Sequence, residues 1–275
     1  MKKSRRHSGL GHKVAGRGPR PESREPRAEK RVPDGRVVVG IHAVEELLAV
    51  RPKAIAQFWI RDKFIDHPQL AALHDQAKDL GVRVQTQAAG TLDKVVGSHQ
   101  GVIAFASEDP EINWAEVENA ERATLIALDE VEDPHNLGAV MRTAWLLGAQ
   151  GVLTPERRSA QLSPAVSKVA QGAVEHVPVV SDMALPQQLE ALKQHGFWIL
   201  GLSHKAKQGL YSLEIPEKVV WVLGSESSGL RKSVEGMCDD LISIPQLAPN
   251  ASYNVSVAAA MALGETYRQR QQKKN

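Results

Sequence analysis

The sequence predicts an α/β fold built on a mostly parallel sheet, and three observations carry that prediction. From Val37 onward, short apolar runs alternate with stretches whose apolar residues recur at helical spacing. Runs such as TLIALDE (124–130) and VVWVLG (219–224) read as strands in that alternation. These runs end in turns bearing Gly, Pro or Asn that lead into helix-like segments, the rhythm of strands joined by crossover helices.

The chain begins with a different kind of segment. Residues 1–36 carry 12 Lys/Arg against 4 Asp/Glu, whereas 37–275 carry 22 against 28, so the net charge of +2 hides a division into +8 and −6. With Pro19, Pro21, Pro26 and Pro33 and few large apolar side chains, residues 1–36 are predicted to be a disordered basic arm. Such an arm is read as an electrostatic arm for nucleic acid, attracted to its phosphates, with a solubilising tail as the alternative. Residues 269–275 are expected to form a second, shorter basic tail.

The first folded block spans 37–106. VVVG and HAVEELLAV give a strand and a helix, AIAQFWI (54–60) a strand, and 68–79 a helix closed by Gly81. VRVQT, a short helix near 91–95 and GVIAFA complete a small α/β domain. The acidic stretch SEDPEINWAEVENAE (107–121) is expected to be a linker. The second block, 122–268, runs TLIALDE, NLGAVMRTAWLLG, GVLT, SPAVSKVAQG, HVPVV, LPQQLEALKQHG, FWILGL, VVWVLG and LISIP, then a last helix over 254–268. Ser163 followed by Pro164 is an N-cap with proline at the first helical position.

In open parallel sheets ligands sit outside the carboxyl ends of the strands, which directs attention to three junctions. After TLIALD comes EVEDPHNLGAVMR, where Asn136 is either a helix cap or a site residue and Arg142 follows about two turns later. After VVWVL comes Gly224-Ser225-Glu226-Ser227-Ser228-Gly229, two glycines around small polar residues and one acid. A plain turn explains the glycines but not Glu226. This is neither a GxGxxG nor a Walker loop, since no Gly-Lys-Ser/Thr follows. After Ile244-Pro245 comes Ser252-Tyr253-Asn254-Val255-Ser256, three good capping residues where a helix needs one.

Taken in order, Asn-x-Gly-x-x-x-Arg, Leu-Gly-x-Glu-x-x-Gly and Ile-x-Ile-Pro with Ser-x-Asn-Val-Ser-Val-Ala resemble the three motifs of SpoU/TrmH-type RNA 2′-O-ribose methyltransferases. GIHAVEELL (40–48), SHQGV (98–102) and PERRSAQLSPAVSKVAQGAVEHVPV (155–179) are similar to the branch of bacterial enzymes that methylate a guanosine ribose in the P loop of 23S rRNA. The resemblance implies a SPOUT fold whose parallel sheet ends in a C-terminal trefoil knot, preceded by a small L30e-like α/β substrate-binding domain at 37–106. It implies S-adenosyl-L-methionine held by Leu223, Gly224, Ile244, Pro245, Tyr253 and Asn254, largely through backbone groups. It implies catalysis by Arg142 with Asn136, Glu226 and Asn254, in a homodimer with the site near the interface. A guanidinium with its pKa above 12 suits clamping a phosphate and the forming alkoxide better than taking a proton.

This chain departs from the family in carrying Tyr253 where leucine is usual and Ala248 where glycine is usual, and Trp145 is unusual in the helix of Arg142. Trp145 is expected to pack at an interface, with RNA stacking the alternative. No apolar run approaches the roughly 20 residues that span a bilayer, and MKKSRRHSGL leads into no apolar signal core, so a cytoplasmic protein is expected. The single cysteine, Cys238, leaves no intrachain disulfide and no Cys-rich zinc site, and no metal is expected. Rival functions are a tRNA ribose 2′-O-methyltransferase and a non-catalytic RNA-binding protein.

Overall fold

The strands condense into two separate sheets. In the computed structural model, which describes residues 33–181, 184–248 and 251–273, the first block contains strands β1 (Arg36–Val39), β2 (Ile55–Arg61), β3 (Val84–Gln87) and β4 (Val102–Ala106). Helices α1 (Ile41–Val50), α2 (Pro68–Asp79) and α3 (Ala89–Asp93) accompany them. The strands pair in the order β1-β4-β2-β3, with β4 antiparallel to both neighbours and β2–β3 parallel. Alternation along β2 sends Phe58 and Ile60 toward α1 and α2, while Trp59 packs edge-on against Phe105 on the α3 side. Most of the expected basic arm, residues 1–32, lies outside the described residues, as do Pro249 and Lys274.

The acidic stretch 107–121 is more than a linker, because it holds helix α4 (Trp114–Asn119). Asn113 caps it by accepting the Glu116 N–H at 3.3 Å, and Val117 is buried. Two features missed in the acidic composition, a capping asparagine and apolar residues at i and i+3, account for this turn of helix.

The second block adds β5 (Ala123–Asp129), α5 (Pro134–Leu146), β6 (Gly151–Leu153), α6 (Pro164–Ala170), β7 (Val179–Val180), α7 (Leu185–Gln194) and β8 (Trp198–Leu202). It continues with β9 (Gln208–Gly209), β10 (Lys218–Gly224), α8 (Lys232–Glu235), β11 (Asp240–Ser243) and α9 (Val255–Gln272). All seven strands are parallel, in the order β7-β6-β5-β10-β8-β11-β9. The central strand β10 is buried on both faces, which is why its sequence is an unbroken apolar run. Val219, Trp221 and Leu223 pack with α5, α6 and α9, while Val220 and Val222 pack with α7 and the β8 residue Ile199. The indole N–H of Trp221 is satisfied by the Thr266 hydroxyl of α9 at 2.9 Å, so the largest core side chain buries no orphan donor.

Helix α9 continues to Gln272, four residues past the expected end, and uses the C-terminal cations within the fold. Arg268 pairs with Glu265, Lys273 with Glu214 and Glu217, and half-buried Arg270 donates to the carbonyls of Ala123 and Glu217. Burial pushes the Arg270 guanidinium below its ordinary pKa. Residues 269–273 are therefore a packed helix end, not a free tail.

Helices α5 and α6 meet at Gly138. A Cβ there would come within 2.8 Å of Val169 Cβ and 3.1 Å of the Val166 carbonyl oxygen. Gly138→Ala should therefore destabilise the protein by about 1–3 kcal/mol, the usual cost of overpacking, read as a lower urea midpoint at unchanged slope.

Candidate active site

The strand order explains where a site can form. The chain leaves β5 for β6 and β7 on one side, crosses to β8 on the other, and only later fills the gap with β10. That late insertion sets the end of β10 between the ends of β5 and β8, and functional loops gather at the carboxyl ends of such strands. Beyond the carboxyl ends of β8, β10 and β11 lies an open cleft of about 610 Å³, within the range of small-molecule sites.

Three of the four residues predicted to act together do meet at this edge. Asn254 Nδ2 donates to Glu226 Oε1 at 2.7 Å and to Asn136 Oδ1 at 2.9 Å, and Asn136 Nδ2 donates to Glu226 Oε1 at 3.2 Å. The triangle ties together helix α5, the loop after β10 and the start of α9. Glu226 Oε2 has no hydrogen-bond partner among the described residues, so one carboxylate oxygen is held and the other stays available.

The structure also shows how each asparagine stands to the cap of its helix. Helix α5 is capped by Asp133, whose carboxylate accepts the His135 N–H at 2.9 Å, with Pro134 in the first turn. Asn136 is thus inside the helix, and its amide is free to reach Glu226. Asn254 does both jobs at once. Its Oδ1 accepts the Ser256 N–H at 2.9 Å and the Ser256 hydroxyl at 2.6 Å, capping α9. That orientation fixes which amide atom faces the acid, since Nδ2 must then point at Glu226.

Arg142 does not join the triangle. It lies six residues after Asn136 on α5, about 120° around the helix and about 9 Å along it. It is exposed, and its guanidinium has no hydrogen bond or ion pair among the described residues.

Of the residues predicted to hold a cofactor, Leu223, Gly224, Ile244 and Tyr253 line the cleft, while Pro245 and Asn254 border it. Tyr253 donates its hydroxyl to the Pro245 carbonyl at 3.0 Å, so the residue that departs from the family pattern closes its own loop. Gln246 completes that closure by donating to the carbonyls of Ala248 and Ala251. Gly224 is required by the loop itself. A Cβ there would overlap the backbone of Gly229 and Leu230, which folds back through a bridge between Ser225 and Gly229. Positive φ is needed only at Gly229, at 68°.

Two features of the site escaped the sequence reading. Leu202, Ser203, His204 and Lys205, at the end of β8, form a further wall of the cleft. The rule about carboxyl ends of strands points to them as much as to the three motifs. The second is a clamp beneath the Glu226 loop. Fully buried Asp129, at the end of β5, accepts from the Arg231 backbone N–H at 2.8 Å, from Nε at 2.7 Å and from Nη2 at 2.6 Å. The hydrogen bonds to Asp129 raise the Arg231 pKa above its ordinary value. Nothing in the local pattern linked positions 102 residues apart. Burial pushes the Cys238 thiol up to about 12, so it stays protonated near neutral pH.

The comparisons with known proteins fit this geometry. Residues 123–264 match the SpoU rRNA Methylase family, and residues 37–111 match RNA 2′-O ribose methyltransferase substrate binding. The chain is 39% identical over 245 residues to the 23S rRNA (guanosine-2′-O-)-methyltransferase RlmB of Pseudomonas putida, covering 86% of this chain and 98% of that one. The fold matches the SpoU methyltransferase AviRb of Streptomyces viridochromogenes with a TM-score of 0.74 at 19% identity, over 86% of this chain and 90% of that one. A structure concerned with 2-OH methylation of C/U34 on tRNA matches at TM-score 0.50 and 28% identity, covering 56% of this chain and 99% of that one. The chain belongs to the SpoU rRNA methylase family.

The double duty of Asn254 can be separated by substitution. Asn254→Ser keeps a capping oxygen and should leave stability within a few tenths of a kcal/mol, whereas Asn254→Ala should cost about 1 kcal/mol. Both remove the Nδ2 amide that reaches Glu226 and Asn136, so methyl transfer should fall alike in the two variants while thermal denaturation tells them apart.

Proposed function

We propose that this protein transfers a methyl group from S-adenosyl-L-methionine to the ribose 2′-oxygen of a guanosine in 23S rRNA, in the P loop of the peptidyl-transferase region. The observation that carries the reading is the Asn136–Glu226–Asn254 triangle, assembled at the crevice from three separate junctions. Family membership and the relative in Pseudomonas putida support the reaction and the substrate class.

The cleft suits the cofactor. Leu202, Leu223 and Ile244 offer apolar walls for a purine, and the serines of 225–228 with the backbone of 224–229 offer polar contacts for ribose and amino-acid groups. When bound, S-adenosyl-L-methionine supplies a methyl on a sulfonium, which is already a good leaving group. The protein's task is therefore to place the ribose hydroxyl in line and make it more nucleophilic. Asn136 and Asn254 fix one oxygen of Glu226, and the other accepts the hydrogen bond of the ribose hydroxyl. Arg142 clamps an RNA phosphate and stabilises the negative charge that grows on the 2′-oxygen.

Arg142 lies away from the triangle within one chain, which supports a homodimer in which the site is completed near the interface. The late insertion of β10 and β11 into the sheet supports a knotted C-terminal end. Residues 37–106 act as the RNA substrate-binding domain, in keeping with the family description matched there. The basic residues 1–36 add electrostatic attraction to RNA. An rRNA substrate supports a cytoplasmic location; no described helix is long and apolar enough to cross a membrane.

A tRNA substrate is the less favoured reading, because the tRNA-related structure matches 56% of this chain and the 23S rRNA methyltransferase 86%. Labelled methyl transfer to rRNA and tRNA should place the label on 23S rRNA, and label confined to tRNA overturns the substrate assignment. Calorimetry should find S-adenosyl-L-methionine binding to the unaltered protein, lost in Gly224→Ala. No binding to the unaltered protein leaves only an RNA-binding role. Arg142→Ala should abolish transfer while keeping cofactor affinity, and a parallel loss of affinity overturns the role given to the arginine.

A further inference from the structure

Matches to two family descriptions divide the chain into two functional pieces, but the structure joins those pieces through a buried ionic cluster. Glu175 lies in the short 3₁₀ turn after α6, with 1% of its side chain exposed. Its Oε1 accepts from Arg36 Nη2 at 2.7 Å and its Oε2 from Arg51 Nη1 at 3.2 Å. Arg36 opens β1 and Arg51 follows α1, so both arginines belong to the first block. Arg36 also holds Asp109 at 2.6 Å, and Arg51 the Glu108 carbonyl at 3.1 Å, which ties down the start of the connection between blocks.

The next residue makes a second joint. His176 Nε2 lies 2.8 Å from Glu46 Oε2 of α1, and its ring stacks on Trp145 of α5 at 4.3 Å with an 11° interplanar angle. Glu46 lies flat over Gly172, where a Cβ would overlap its methylene carbon. A further hydrogen bond runs from the Val39 N–H of β1 to the Ser167 hydroxyl of α6 at 3.3 Å. The chain from Glu46 through His176 to Trp145 ends one turn beyond Arg142, on the helix that also carries Asn136.

An apolar contact would hold the blocks together at many angles, since apolar contact has no preferred direction. A buried carboxylate shared by two guanidinium groups is satisfied at one geometry and costly at others. We propose that Glu175 and His176 are positioning residues of the methyl-transfer reaction. They fix the first block at one angle to α5, so RNA gripped by that block meets the cleft in register. This rests on the reading above that residues 37–106 bind RNA.

The test is Glu175→Gln in the full-length protein, a change that keeps shape and removes charge. Affinity for a 23S rRNA transcript by filter binding and for S-adenosyl-L-methionine by calorimetry should be unchanged. The methyl-transfer rate should fall by about a hundredfold, the order that a misplacement of about 1 Å costs. A rate equal to the unaltered protein's overturns the proposal, as does a loss of both affinities in step with the rate, which marks a general disruption. Should Glu175→Gln fail to fold, Glu46→Ala removes the second joint at a partly exposed residue, and the same split is expected with a smaller drop. An unaltered protein that binds the transcript but methylates no RNA overturns the functional reading itself, an outcome distinct from parity between variant and parent.

Discussion

The pairing of β10 with β5 is the contact on which the rest of the molecule depends. Seven residues, Lys218–Gly224, lie in register against Ala123–Asp129, almost a hundred positions earlier in the chain. Everything between them, from α5 to β9, is laid out before that gap closes. Once β10 enters, the end of β5 and the start of the Glu226 loop stand side by side, with Asp129 opposite Gly224. Asp129 then reaches Arg231 on the far side of the loop and pins its return. Asp129 is fully buried, so losing Arg231 would leave its carboxylate without the partner that satisfies it. The loop is consequently shaped from below by an ion pair and from within by the bare Cα of Gly224.

The triangle above that loop follows from the same pairing. Glu226 is brought to α5 by β10, and Asn254 is brought to both by β11 and α9. No member of the triangle is buried, so the arrangement faces whatever enters the crevice. The cap of α9 and the donor to Glu226 are opposite ends of one amide, which links the stability of a long helix to the orientation of an acid. Arg142, on the same helix as Asn136, projects elsewhere and meets no partner among the described residues. Its position, with the joint at Trp145 and His176, makes α5 the element through which first block, triangle and arginine are related.

Charged side chains hold three of the junctions of this fold. Glu175 gathers Arg36 and Arg51 between blocks, Asp129 gathers Arg231 under the loop, and Arg270 closes the lower edge of the sheet through two carbonyls. Apolar burial supplies most of the cohesion in both sheets, but it has little directional preference. The charged groups supply direction.

The sequence by itself determined the α/β class, the parallel central sheet, the two blocks and the three junctions, because hydrophobic period and turn chemistry are local properties. It pointed to Asn136, Glu226 and Asn254 through motif order, and left each divided between cap and site. Tertiary structure decided that Asp133 caps α5, that Asn254 serves as cap and donor together, and that Arg142 stands apart from both. It also revealed the β8 wall, the Asp129–Arg231 clamp and the Glu175 joint. Those features pair residues 102 and more positions apart, or depend on which strand fills a gap in a sheet. No local period encodes such pairings; they exist only once the chain has closed on itself.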